Sequence, residues 1–137
     1  MSNRHFTLHE LIRSDKADQL GIVNVPNFAQ VSMLALFVDM CLEPIREAAG
    51  RPVIVNSGYR CERLNKALGG SKGSHHMMGD GHCAADITLG DPALNRALFS
   101  VLEKTDIPIN EWILGKDARY IHVSWHPWKR KREVIRL

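Results

Sequence analysis

The chain has 137 residues, of which 45% are apolar and 24% are charged. This balance predicts one globular domain over residues 1–137 and excludes disordered, collagen-like and fibrous proteins. The formal net charge is +3, and five of the basic residues lie in the stretch 129–136. A nucleic-acid-binding protein would spread basic residues over a face and interleave aromatic ones, so no nucleic-acid partner is expected.

The first part of the chain carries helix signals. Thr7–Glu10 has the pattern of a capping box and predicts a short helix that ends near Ser14. Residues 15–27 are polar and end in Val25-Pro26-Asn27, which predicts a turn and the entry to the next helix. Apolar residues at helical spacing predict one long helix over residues 28–49, which Pro44 should bend near its last turns.

The second part of the chain changes to alternating, β-type patterns. Because helices come first and strands cluster later, the order predicts an α+β fold with helices packed on a small antiparallel sheet. Two helices are predicted here, at Cys61–Leu68 and Asp91–Lys104. The predicted strands are Pro52–Asn56, Ala84–Leu89, Glu111–Leu114, Tyr120–Trp125 and Glu133–Leu137.

Three features bear on the compartment. The strongest apolar stretch, Met33–Val38, is far shorter than the roughly 20 residues of a membrane span, so no span is expected. The N-terminus has no apolar segment of the kind found in signal peptides, which predicts cytoplasmic synthesis. Cys41, Cys61 and Cys83 do not form a disulfide framework and indicate a reducing compartment.

Histidines and one aspartate are placed unevenly along the chain. His76 lies in a glycine-rich loop, Asp86 lies in an otherwise apolar strand, and His122 lies on the polar face of another strand. Two imidazoles and a carboxylate suit zinc, and three protein ligands leave a fourth position for water. The residue types alone also allow surface histidines and an aspartate that caps a helix or forms an ion pair.

Several motifs follow one another in a characteristic order. They are Ser57-Gly58-Tyr59-Arg60, Ser74-His75-His76, Ala84-Ala85-Asp86-Ile87 and Tyr120-Ile121-His122-Val123-Ser124. This order resembles the M15 peptidases, zinc D-Ala-D-Ala carboxypeptidases and phage peptidoglycan endopeptidases, in their small single-domain branch. The resemblance covers residues 7–137 in outline and is most specific over 55–87 and 120–124. It implies the helix-on-sheet fold that these peptidases share with hedgehog-like domains.

The resemblance also implies roles for individual residues. Zn²⁺ would be held by His76, Asp86 and His122. Arg60 would contact the substrate and polarise the scissile carbonyl, and Ser74 would be a further substrate contact. His75, in a position where the family tolerates many residue types, would be a bystander.

The loop between the first two implied ligands departs from the family pattern. Nine residues separate His76 from Asp86, where the family usually has six, so about three are inserted around Asp80–Cys83. The insertion brings His82 and Cys83, both of which can bind zinc. His82 could replace or supplement one of the implied ligands, or both residues belong to an exposed insertion with no role.

The second departure concerns the general base. Arg119 and Gly115 stand where members of the family carry an acid. Strand alternation puts Glu111 on the same face as Gly115, which predicts Glu111 as the base. Asp117, in the following turn, is the alternative, and a site without a competent base is the third possibility.

The resemblance implies a monomeric zinc peptidase that cleaves a D-Ala-D-Ala or an L-Ala-D-Glu bond of peptidoglycan. Without a signal peptide, access to the wall would come after lysis, holin release or virion delivery, which suits a phage or prophage origin. The alternative is a catalytically degenerate member that binds zinc or wall fragments, as a wall-binding or virion structural protein.

Overall fold

The computed structural model describes residues 5–137 and confirms an α+β fold. The helices are α1 (Leu8–Ile12), α2 (Asp15–Leu20), α3 (Phe28–Ala49), α4 (Glu62–Ala67) and α5 (Pro92–Leu102). The strands are β1 (Ile54–Ser57), β2 (Cys83–Thr88), β3 (Glu111–Leu114), β4 (Ile121–Trp125) and β5 (Glu133–Arg136).

The five strands form one sheet in the order β1-β2-β4-β3-β5. Neighbouring strands are antiparallel except β5, which lies parallel to β3, so the prediction of a wholly antiparallel sheet is wrong at this edge. The reason is the path of residues 126–132. After β4 the chain reverses its direction and skips β3, so the last strand pairs with the outer edge of β3. Because β4 is antiparallel to β3, a strand that reverses after β4 runs parallel to β3.

One face of the sheet is apolar and the other is polar. Ala85 and Ile87 of β2 lie opposite Val123 and Ile121 of β4, and all four are buried in the core with Trp112. The core is completed by apolar residues of α1, α3 and α5. Period-two alternation places the residues between them on the other face, which therefore carries the polar side chains of β2, β3 and β4.

Helix α3 is the longest element. Its buried residues, among them Phe37 and Ile45, belong to the core. A π-helical turn lies over Val38–Leu42, just before Pro44, at which a bend was predicted. By length and composition this 22-residue helix could cross a membrane, with a mean hydropathy of 1.5, and 39% of that window is buried inside the protein. The apolar pattern is thus longer than Met33–Val38, although one such helix is weak evidence for a span because core helices share these properties.

The polar segment after α1, in which no helix was predicted, contains the helix α2. The Ser14 hydroxyl accepts a hydrogen bond from the Ala17 amide at 3.2 Å and caps the start of α2. Gly21 ends the helix in the left-handed conformation, with φ of 65°. The two caps stabilise six residues in a helix although only Ala17 of them is buried.

Candidate metal centre

Three predicted ligands meet on the polar face of the sheet. Asp86 of β2 and His122 of β4 are directly opposite each other in the strand register. His76 arrives from a 3₁₀ turn over His75–Met77 that packs beside β2. Atoms of His76, Asp86 and His122 that can bind a metal all lie within 4.8 Å of one another.

His76 is fixed from behind by the backbone. The residue is 4% exposed, and its Nδ1 lies 2.7 Å from the Gly58 carbonyl oxygen, to which it must donate. That tautomer leaves the Nε2 lone pair free, 3.4 Å from Oδ1 of Asp86. The Ser74 hydroxyl accepts from the His76 amide at 3.2 Å and starts the turn. A metal-binding histidine held by a backbone carbonyl is a recurrent arrangement.

Asp86 and His122 hold each other in the charged state. Their Oδ1 and Nδ1 atoms are 2.8 Å apart. Burial favours the neutral carboxyl, but the hydrogen bond from His122 and the closeness of His76 outweigh it and hold the pKa of Asp86 well below its ordinary value. Burial likewise opposes protonation of His122, yet hydrogen bonds to Asp86 and Glu111 raise its pKa to about 9. An imidazolium between two carboxylates marks a place where the protein stabilises positive charge.

Glu111 adjoins this cluster as its position in β3 predicts. Its Oε1 atom is 3.4 Å from Nε2 of His122 and 3.9 Å from Nδ1 of His75. The hydrogen bond with His122 lowers the pKa of Glu111, so the side chain is a carboxylate. With 26% of the side chain exposed, it can reach a bound molecule. The alternative base, Asp117, is exposed and forms no ion pair within residues 5–137.

The two positions at which members of the family carry an acid, 115 and 119, cannot supply a base in this chain. A side chain at Gly115 would collide with the ring of Tyr120, which packs directly against the glycine. Arg119 is exposed and cannot act as a base, because a guanidinium stays protonated. Glu111, four residues before Gly115 and on the same strand face, is therefore the carboxylate that the fold brings next to His122.

Arg60 points at the cluster from the opposite side. One guanidinium nitrogen, Nη2, is 3.6 Å from Oδ2 of Asp86. The others donate to Ser57 Oγ at 3.0 Å and to Asn65 Oδ1 at 3.3 Å, and the Arg60 amide donates to the His76 carbonyl. These bonds fix a cation beside the predicted ligands, even though burial lowers its pKa.

The inserted segment is not an exposed loop without contacts. Cys83 begins β2 in the core, where burial raises the pKa of its thiol to about 12, so it is not available as a ligand. His82 is buried and stacks on His75 with ring centroids 3.8 Å apart. Neither joins the metal-binding group found among residues 5–137.

His75 was predicted to be a bystander, and the structure places it in the site. Its Nδ1 atom lies 3.0 Å from the hydroxyl of Ser124, on the same strand face as His122. The sequence contained a signal for this contact, because Ser124 alternates with His122 in β4. The sequence did not indicate that the turn before β2 would bring the His75 side chain to β4.

The donor set fits a divalent cation. Two imidazoles and a buried carboxylate converge, a second carboxylate lies beside them, and nitrogen and oxygen donors of this kind suit zinc. Among curated proteins, none matches the chain. A family model described as Peptidase M15 matches residues 4–124, so the chain belongs to the M15 peptidase family.

Proposed function

We propose that the protein is a zinc-dependent peptidase that hydrolyses peptide bonds of peptidoglycan. Membership of the M15 family implies a metallopeptidase. The observation that carries the proposal is the convergence of His76, Asp86 and His122 within 4.8 Å, with the Glu111 carboxylate 3.4 Å from His122. A structural zinc site would not need a partly exposed carboxylate and a fixed guanidinium at its edge.

The proposal assigns the metal to His76, Asp86 and His122. Zinc supplies, when bound, Lewis acidity toward the scissile carbonyl and toward a water molecule. Gly58 and His76 support this role, because the carbonyl of Gly58 holds the imidazole in the tautomer that keeps Nε2 free.

Glu111 is proposed to take the proton of the attacking water. Its low pKa keeps it ionised, and its partial exposure lets it contact the substrate. Arg60 is proposed to stabilise the negative charge that develops on the carbonyl oxygen. Ser74 lines the same cavity of about 280 Å³ as Glu111 and His122, which supports its proposed role as a substrate contact.

The bond cleaved is proposed to be a D-Ala-D-Ala or an L-Ala-D-Glu linkage, in line with the family resemblance. A phage or prophage origin and action on the wall after lysis, holin release or virion delivery belong to the same proposal. We also propose that the protein is a monomer.

Metal analysis combined with muropeptide digestion tests the proposal. The purified protein is expected to hold one zinc per chain, and His122→Ala should lose it, whereas His9→Ala, a change at an exposed histidine of α1, should keep it. Loss of zinc in His82→Ala with full occupancy in His122→Ala would move the site to the inserted segment.

Glu111→Gln separates catalysis from metal binding. The amide keeps the shape of the side chain and removes its basicity, so cleavage should stop while zinc is retained. Unchanged cleavage by this variant would remove Glu111 from the mechanism. No cleavage of any wall fragment by the zinc-loaded wild-type protein would favour the degenerate, wall-binding alternative.

A further inference from the structure

A second cavity lies beside the candidate metal centre. It has a volume of about 240 Å³ and lies between the inserted segment and the chain after β4. Every residue that lines it is polar or ionisable, among them His75, Asp80, His82, Asn110 and Lys129. A cavity of this size has room for a residue of a peptide, and the polar ends of these side chains can hydrogen bond to it beside the apolar carbons of their stems.

This cavity adjoins the cavity over the candidate metal centre. The cavity over the centre is lined by Ser74 and His122, and both cavities share His75 and Glu111 as walls. A peptide bond placed between Glu111 and the predicted ligands would therefore have the second cavity immediately beyond it. One extended residue spans about 3.3–3.6 Å, so the next residues of the chain would enter the cavity.

The wall between the two cavities is built by stacked histidines. The rings of His75 and His82 are parallel within 1°, with centroids 3.8 Å apart. His82 is 6% exposed, and its Nδ1 atom is buried without a hydrogen-bond partner. The ring of His82 thus acts by packing, not by hydrogen bonding through Nδ1, and it holds His75 from behind.

Within residues 5–137, one ring nitrogen of His75 forms a hydrogen bond and the other forms none. Nδ1 is paired with the Ser124 hydroxyl at 3.0 Å, and no hydrogen bond to Nε2 is present among residues 5–137. The side chain is 30% exposed and borders both cavities. Its Nε2 atom can therefore hydrogen bond to a peptide lying in the groove.

The charges in the cavity are partly uncompensated. Lys131 is paired with Glu133 at 2.9 Å, whereas Asp80 and Lys129 form no ion pair within the described part of the chain. The cavity thus offers one free carboxylate and one free ammonium group. Both residues are exposed, and they can form ion pairs or hydrogen bonds with a polar or charged residue that an apolar residue cannot form.

We propose that this cavity is a substrate subsite that binds a polar residue next to the scissile bond, with His75 as the binding residue and His82 as the residue that positions it. The proposal rests on the proposed peptidase function and deepens it. In this proposal the inserted Asp80–Cys83 segment helps to recognise a peptide that continues beyond the cleaved bond.

A peptide-length series tests the subsite. The shortest cleaved muropeptide is compared with versions extended by two polar residues on either side of the bond, and with versions extended by two leucines. In the wild-type protein one polar extension should raise kcat/KM about tenfold, the value of a few hydrogen bonds, and the leucine extension should not.

Variants at His82 separate positioning from metal binding and folding. His82→Ala should lose the tenfold preference, mainly through KM, and keep its zinc, whereas His82→Phe, which keeps a flat ring, should retain the preference. His9→Ala is the matched control. Lys129→Ala should weaken the preference for a carboxylate-bearing extension over its amide, and this readout remains if His82→Ala fails to fold.

The outcomes distinguish the subsite from the peptidase proposal. If the wild-type protein cleaves the short peptide but shows no preference for any polar extension, the subsite is refuted and the peptidase function stands. If no peptide is cleaved, the peptidase function fails, and calorimetry with the zinc-loaded protein decides the subsite. Equal affinity for short and extended peptides would then refute it.

Discussion

At the scale of single residues, Arg60 gives the first prediction. Its guanidinium is anchored by Ser57 and Asn65 and points at Asp86. Arg60→Ala should lower kcat by about 10²–10³-fold, the usual cost of one oxyanion contact, while zinc content stays unchanged. Arg63→Ala, at an exposed position one turn away, is the matched control. An Arg60→Ala enzyme with normal kcat would show that the arginine only pairs with Asp86.

His82 gives a prediction on pH and stability. Burial and the neighbouring His75, Lys129 and His126 lower its pKa from 6.5 to about 4. The unfolded chain therefore binds a proton near pH 6.5 that the folded protein accepts only near pH 4. Stability should fall as the pH is lowered from 7 to 4, with about 1–3 kcal/mol from this residue.

The measurement is the urea midpoint of the zinc-free protein at several pH values. His82→Phe removes the titrating group and should make the decline between pH 6.5 and pH 4 shallower. If both proteins lose stability in parallel over this range, His82 does not carry the effect.

Sequence reasoning at this scale worked best where a residue type was out of place. Asp86 was noticed because it interrupts an apolar strand, and the fold indeed brings it opposite His122. Glu111 was placed by alternation alone, and it does adjoin His122. His75 was predicted to be a bystander because the family tolerates many residue types there, and a loop has no periodicity from which the direction of a side chain follows.

At the scale of elements, the approach of α1 to the end of β1 yields a prediction. Gly58 packs directly against the backbone of Leu11, and the Tyr59 amide donates to the Leu11 carbonyl at 2.7 Å. A methyl group at Gly58 would push these segments apart and also move the carbonyl that holds His76. Gly58→Ala should cost about 1–3 kcal/mol of stability and weaken zinc binding.

Urea unfolding and zinc titration check this result. Gly73→Ala is the control, since a methyl group there meets nothing within 4 Å, and it should leave both properties unchanged. Equal stability of the two variants would mean that α1 can shift without consequence.

The sequence predicted most elements near their observed positions, and it missed one short helix and the direction of one edge strand. The helix over 28–49 and the strand at Glu111–Leu114 were found at their predicted positions because periodicity over many residues, or clear flanking turns, defined them. Helix α2 was missed because two caps, not an apolar face, determine it. The direction of β5 was missed because strand patterns contain no information on which neighbour a strand joins.

At the scale of the whole molecule, metal binding should be coupled to folding. The predicted ligands come from β2, β4 and the turn before β2, so zinc would bind the folded chain and not the unfolded one. Binding at 100 to 1,000 times the dissociation constant adds about 2.7–4.1 kcal/mol. Removal of zinc with a chelator should therefore lower the Tm by several degrees.

Scanning calorimetry with and without the chelator measures this shift. His122→Ala should show no shift, because its site is incomplete. A Tm that the chelator leaves unchanged in the wild-type protein would contradict a zinc centre at His76, Asp86 and His122.

The sequence predicted family membership and fold class best. The order of motifs was enough to predict an M15 peptidase, and this is confirmed. The cavity beyond His75 could not be foreseen, because it depends on how an insertion without a family counterpart packs against the chain after β4.

The register of β2 against β4 has one more consequence. Asp86 faces His122 only because each strand alternates between the two faces, and a slip of one residue would turn Asp86 into the core and Ala85 toward the metal. A slipped β2 would therefore leave His122 without Asp86 and the site incomplete. If zinc binds at His76, Asp86 and His122 as proposed, bound zinc per chain should report the correctly folded fraction of a preparation, more selectively than secondary-structure content, which a slipped sheet would preserve.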